Sequence, residues 1–216
     1  MDAAGWDARY AASELVWSAG PNAFVVEQVT MHLAGVEPGR ALDLAGGEGR
    51  NAVWLAAQGW RTELVEFSAV ALEKAERLAR ERGVELGATL ADVTAEPALE
   101  HADLVVVCYL QLPSGPLERA LGHAASLVAP GGTLLVIAHE RDNLEHGHGG
   151  PPDAAVLPTV ADVIAAIDGR GLTVAEAGQV RRRVDTDEGP RDAIDLLVRA
   201  TRAGAPGAGH AAAPEG

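Results

Sequence analysis

Residues 42–56 read LDLAGGEGRNAVWLA: an apolar strand that runs into Gly46, Gly47 and Gly49 and then into a helix. A strand that stops at glycines and feeds a helix gathers bare backbone N–H groups and a positive helix end around one point, which suits a ligand. Gly47-x-Gly49-x-x-Ala52 meets the dinucleotide fingerprint, and acidic Glu66 lies further along the chain. Alone the pattern is weak, because any adenosine-bearing ligand asks for the same turn and the same carboxylate for its ribose hydroxyls.

The surroundings narrow the ligand. Asp43 stands in the strand just ahead of the turn, where a carboxylate can meet a ligand's ammonium or an ordered water. A pyrophosphate at that point would be repelled. Glu66 ends the second strand within VEFS, placed to receive both ribose hydroxyls, and Phe67 can lie against an adenine. ADV (91–93) ends the third strand and offers Asp92 to the adenine amino group. Any one of these carboxylates could merely cap the next helix. Three in order, at successive strand ends around a glycine turn, point to an adenosine ligand without a pyrophosphate.

Working outward, apolar runs at 41–45, 62–66, 86–91, 102–108 and 133–139 alternate with helical stretches at 49–58, 69–82 and 114–129. That is the pattern of a parallel sheet with crossover helices. In 69–82, Val70, Leu72, Ala75, Leu78 and Ala79 form an apolar stripe, while Glu73, Lys74, Glu76, Arg77 and Arg80 are expected to face water. Gly83 is placed to end that helix, and the PGG of 130–132 to end the next. Past His139, the polar, Gly- and Pro-rich stretch 140–158 is too long for a minimal connection and reads as a lid or a disordered link. A helix near 159–170 and strands near 172–184 and 192–200 follow; the DTDEGPR turn between the strands predicts an antiparallel hairpin. Two helical stretches, 6–18 and 21–34, precede the first strand, and 203–216 has little to bury and reads as a disordered tail.

Composition excludes several classes. With 216 residues, 48% of them hydrophobic, the chain can bury one substantial core. A net charge of −14 opposes binding to a nucleic-acid backbone. The only basic run, Arg181-Arg182-Arg183, precedes Asp185, Asp187 and Glu188. Cys108 is the single cysteine, so no internal disulfide framework is expected. His139, His146 and His148 lie in or beside a Gly-rich loop with no cysteine to join them, and no metal is expected. Without a leader pattern or a membrane-length apolar run, the chain reads as soluble and cytoplasmic, with no membrane partner.

On LDLAGGEGRNAVWLA, VEFSAVALEKA, ADV, DLVVVCYLQLP and LVAPGGTLLVIAHE, the sequence resembles the class I S-adenosylmethionine-dependent methyltransferases. Within them it is similar to the small bacterial branch that includes the tellurite-resistance and thiopurine-type enzymes, over about 5–202. The resemblance implies an α/β fold: a Rossmann-like, doubly wound sheet of seven strands, the last antiparallel, with helices on both faces. It implies a helical cap (1–38) over a catalytic domain (39–202) with its lid at 140–158, and S-adenosylmethionine as cofactor. Asp43, Ala45, Gly46, Gly47, Glu66, Phe67, Asp92, Val93 and Cys108 would surround that cofactor, and Trp17 and Asn22 would approach its methionine end. The family usually carries glycine where this chain has Ala45, and a small polar residue or cysteine at Gly46.

Methyl transfer is an in-line displacement, so the acceptor should sit over the carboxyl ends of strands four and five. That selects Tyr109, Gln111, His139 and Glu140. The Asn/Asp-Pro-Pro-Tyr signature for base or amide nitrogen is absent; CYLQ stands there, and a small-molecule acceptor is expected. His139 is either a general base or a hydrogen-bonded structural histidine. With no orienting partner visible in sequence, and with chalcogen and thiol acceptors in the family branch, the reading leans to a soft nucleophile; an oxygen or nitrogen acceptor is the alternative. The arginines guard an edge strand or pair with Asp185 and Glu188, unless one of them, Arg182 above all, holds an anionic substrate. An NAD-dependent oxidoreductase or a non-catalytic cofactor-binding protein remains open.

Overall fold

The computed structural model describes residues 3–13, 15, 20–35, 37–187 and 189–204. Seven strands form one sheet: β1 (Arg40–Leu44), β2 (Arg61–Glu66), β3 (Gly87–Leu90), β4 (Ala102–Cys108), β5 (Val128–His139), β6 (Leu172–Val184) and β7 (Arg191–Arg202). Their spatial order is β3-β2-β1-β4-β5-β7-β6, with β7 antiparallel to both its neighbours and the other pairs parallel. Strand order therefore reverses between β1 and β4, the point at which open α/β sheets hold ligands.

Helices cover both faces. They are α1 (Ala3–Ala11), α2 (Ala23–His32), α3 (Arg50–Ala57), α4 (Ala69–Arg82), α5 (Ser114–Ser126), the single turn α6 (Asn143–His146) and α7 (Val160–Ile167). Alternation along β5 divides the core. Leu134, Val136 and Ala138 join Leu117 and Leu121 of α5 and Val163 and Ile167 of α7 on one side. Leu135 and Ile137 join Val25 and Val29 of α2 and Leu55 of α3 on the other. Among the described residues, no helix is long and apolar enough to cross a membrane.

Gly83 ends α4 in the left-handed conformation, as its position predicts. Three expectations need correction. The PGG of 130–132 does not end a helix: α5 stops at Ser126 and β5 has already begun. Ala102 pairs with Val128 but Leu104 with Thr133, so Pro130-Gly131-Gly132 is extra chain looped out within β5. The first helix covers Ala3–Ala11 rather than 6–18, and residues 14 and 16–19 of that prediction lie outside the described set. Lys74 does not face water. Its ammonium donates to Tyr10 O (2.6 Å), Ser13 O (2.7 Å) and Glu48 Oε1 (2.9 Å), and both charged side chains are buried. Asp7 adds a second tie, accepting the Ser68 hydroxyl at 2.5 Å. Together these bonds dock α1 against α4 and the glycine turn.

Candidate active site

The glycine turn wraps the Asp43 carboxylate. A side chain at Gly46 would meet that carboxylate at 2.6 Å, and one at Gly49 would meet Ala75 at 2.7 Å, so both positions need the bare backbone. Ala45 adopts φ +53°, a left-handed conformation that costs alanine about 1 kcal/mol. Ala45 thus supplies the bend, and Gly46 the room. Asp43 is fully buried; Oδ2 accepts the Ala52 N–H at 3.1 Å, while Oδ1 has no partner. Burial pushes its pKa up to about 7, against the pull of the Ala52 N–H and the Arg50 charge.

Glu66, at the end of β2, accepts N–H groups from Gly47 and Ser68, each at 3.0 Å. Burial raises its pKa too. Phe67 follows it, half-buried. Asp92 is exposed and caps the turn Val93–Ala95 through Oδ1, the bland role; its Oδ2 makes no hydrogen bond among the described residues. Val93 is buried beneath it. Cys108 ends β4 beside Asn51, and burial pushes its thiol up to about 12, so it stays protonated. Asn22 caps α2 with its side-chain oxygen, and its own N–H donates to Asn51 Oδ1 at 2.8 Å. Asn51, just after the bend, carries no role in the sequence reading. Trp17 lies outside the described residues.

The other half of the site is a hub around Asp195, which the sequence reading missed. This β7 carboxylate is 0% exposed. Oδ1 lies 2.9 Å from His139 Nδ1; Oδ2 accepts the Tyr109 hydroxyl at 2.7 Å and Arg182 Nε at 2.9 Å. The Tyr109 oxygen in turn accepts from Arg182 Nε (3.1 Å) and from the Asn22 amide (3.3 Å), linking the hub to α2. Burial alone would raise the Asp195 pKa, but its bonds from His139, Tyr109 and Arg182 and the arginine's charge hold it below the usual range. An ionised carboxylate only accepts, so His139 Nδ1 carries the proton and neutral His139 keeps its lone pair on Nε2. Nε2 makes no hydrogen bond among the described residues. His139 therefore has an orienting partner, contrary to the premise read from sequence.

Tyr109 sits at φ +59°, a conformation rare for a bulky side chain and typical of functional sites, with its ring 4.6 Å from that of His139. Burial and the Asp195 charge raise its pKa, so it remains a phenol. Gln111 is half-buried with no hydrogen bond among the described residues. Glu140 is buried and accepts the Asp142 N–H at 2.6 Å, holding a turn. Arg182 and Arg183 pair with Asp195 and Asp192 rather than with Asp185; Glu188 lies outside the described residues. β6 is indeed an edge strand, and Arg182 shares its less exposed face with Val180 and Val184. His146 and His148 are exposed.

Residues 41–132 match the family model of a methyltransferase domain. No curated protein matches the chain in sequence. Among solved structures, the chain is similar to one determined for the conversion of a disulfide bond into a thioacetal group during echinomycin biosynthesis, at 20% identity and TM-score 0.74 over 93% of this chain and 91% of that one. It is similar to the N-methyltransferase NodS from Bradyrhizobium japonicum in complex with S-adenosylhomocysteine, at 18% identity and TM-score 0.69 over 93% and 99%. It is also similar to TehB from Haemophilus influenzae, at 17% identity and TM-score 0.68 over 84% and 62%. At such identities the likeness is one of fold.

Proposed function

From the matched methyltransferase domain and the fold, we propose that the chain is a class I methyltransferase that passes a methyl group from S-adenosylmethionine to an oxygen or nitrogen of a small-molecule acceptor. The observation that carries the cofactor assignment is Asp43, buried under the glycine turn with Oδ1 unpaired. A buried acceptor without a donor is costly, and an ammonium group or the water beside it would satisfy this one. Glu66 would take the ribose hydroxyls, Asp92 Oδ2 the adenine amino group, Phe67 and Val93 the ring, and Arg50, whose charge acts on Asp43, the carboxylate. The helices before β1 would form the cap over this cleft.

When bound, the cofactor supplies a methyl group on a sulfonium, whose carbon–sulfur bond breaks as the acceptor's new bond forms. His139 Nε2 takes the acceptor's proton, and Asp195 holds the ring in the required tautomer. Tyr109 and Cys108 keep their protons and do not compete for the methyl group. The Asp195–His139 pair is why the reading moves from a thiol or chalcogen acceptor to one whose proton needs a base. The segment 140–158 would close over the acceptor. Its ends are pinned by Arg141 N to Pro158 O (3.2 Å) and by Asn143 Oδ1 accepting Ile194 N–H (2.7 Å). The amides of 148–154, which make no hydrogen bond among the described residues, should exchange freely without ligand and slow when S-adenosylhomocysteine and acceptor are both present; strong protection in the free protein would make this a fixed loop.

Titration calorimetry tests the cofactor. S-adenosylhomocysteine should bind and NAD should not; the reverse result would sink the proposal. The sign of proton linkage follows from Asp43. Its folded pKa, about 7, exceeds the ordinary 3.8, so between those values the free folded protein holds more protons and loses stability as pH rises. A bound ammonium favours the ionised form, so binding at pH 7 should release about half a proton. The measured enthalpy should then vary with the buffer's ionisation enthalpy, and Asp43→Asn should remove that variation. Glu66→Ala should weaken the same titration by about 1–3 kcal/mol.

A further inference from the structure

We propose that the acceptor is a compact hydroxy- or amino-carboxylate, its anionic group held by the terminal nitrogens of Arg182 while the oxygen or nitrogen to be methylated lies against His139. This rests on the methyltransferase reading. Arg182 spends only Nε on the hub, on Asp195 and on the Tyr109 hydroxyl. Its two terminal nitrogens make no hydrogen bond among the described residues, although the side chain is only 27% exposed. A half-buried guanidinium with its outer edge unused presents the planar fork that matches a carboxylate.

The charge around the site agrees. Asp195 has both oxygens taken, so its charge is compensated from within the hub. Arg50 supplies a second cation: its guanidinium lies 6.0 Å, and that of Arg182 5.7 Å, from the centre of the Tyr109 ring. Two cations thus flank one ring in a chain of net charge −14. An anion kept off the rest of the surface meets a local exception here. The charge of Arg50 acts on Asp43, so Arg50 would serve the cofactor's own carboxylate, which leaves Arg182 for the acceptor.

The same hub limits the acceptor's size. His139 Nδ1 and Arg182 Nε are each 2.9 Å from an oxygen of the one Asp195 carboxylate. The base and the fork therefore stand side by side, and the acceptor's reacting atom and charged group are separated by only a few bonds. If Arg182 merely neutralised Asp195, a neutral acceptor would serve equally well.

The test uses the full chain, S-adenosylmethionine and a panel of hydroxy- and aminobenzoates, phenylacetates and aliphatic hydroxy acids, each paired with its carboxamide. At least one carboxylate should be methylated on oxygen or nitrogen with kcat/KM about tenfold or more above its amide. Arg182→Gln should raise KM for that carboxylate about tenfold more than KM for its carboxamide and erase the preference. Arg182→Lys keeps the charge beside Asp195 but loses the fork, and should raise KM in the same way; circular dichroism checks that both variants fold. No carboxylate preference anywhere in the panel, a methyl ester as product, or an equal rise in KM for both members of a pair would overturn the inference. S-adenosylhomocysteine titration separates the two levels. Lost binding in the unmodified chain fails the methyltransferase reading, whereas intact binding without carboxylate preference fails only this one.

Discussion

His139→Ala should lower kcat/KM by about a hundred- to ten-thousandfold, about 3–5 kcal/mol of transition-state stabilisation, with the fold intact. The size follows from the acceptor proposed above: a hydroxyl or ammonium keeps its proton near neutrality, and a positioned base removes it during transfer. Asp195 is a positioning residue in this account, not a catalytic one. Its carboxylate, held ionised by three donors, fixes the proton on His139 Nδ1. Asp195→Asn should also depress kcat, because an amide can present a donor to Nδ1 and favour the wrong tautomer. A modest loss in His139→Ala would return the preference to a soft nucleophile that needs only alignment.

Lys74→Met should lower unfolding stability by about 3–5 kcal/mol, a large share of what a domain of this size has. The ammonium is the shared donor for two carbonyls at the end of α1 and for the buried carboxylate of Glu48 in the glycine turn. Methionine fills a similar volume but takes the neutralising charge away from Glu48. Coulombic gain alone does not make such a pair stabilising; breaking half of it does the damage. The double change Lys74→Met with Glu48→Gln should accordingly recover much of the loss in urea unfolding. Equal destabilisation in the single and double variants would place the effect in α1 docking instead. Because Glu48 belongs to the turn that wraps Asp43, the single variant should also bind S-adenosylhomocysteine more weakly.

The α/β alternation, the glycine turn and the carboxylates at strand ends were legible in the sequence because each is a local pattern. A period of two or of 3.6, a residue that must be glycine and a cap at a fixed offset all act within a few residues. Gly46, Gly47, Asp43 and Glu66 stand where that reading placed them, around one turn. The antiparallel hairpin at the end was legible for the same reason, from the turn that joins its strands. The hub was not. Asp195 sits in an apolar strand 56 residues from His139, and only the pairing of β5 with β7 sets the two opposite each other. Tyr109 carries no mark of its left-handed backbone, and Lys74 lies on the polar side of a helix that looks solvated until α1 covers it. Local chemistry thus determined the fold class and the glycine turn with its carboxylates. Strand register and helix docking, which bring distant residues together through the whole packed core, decided which groups gather around Asp195.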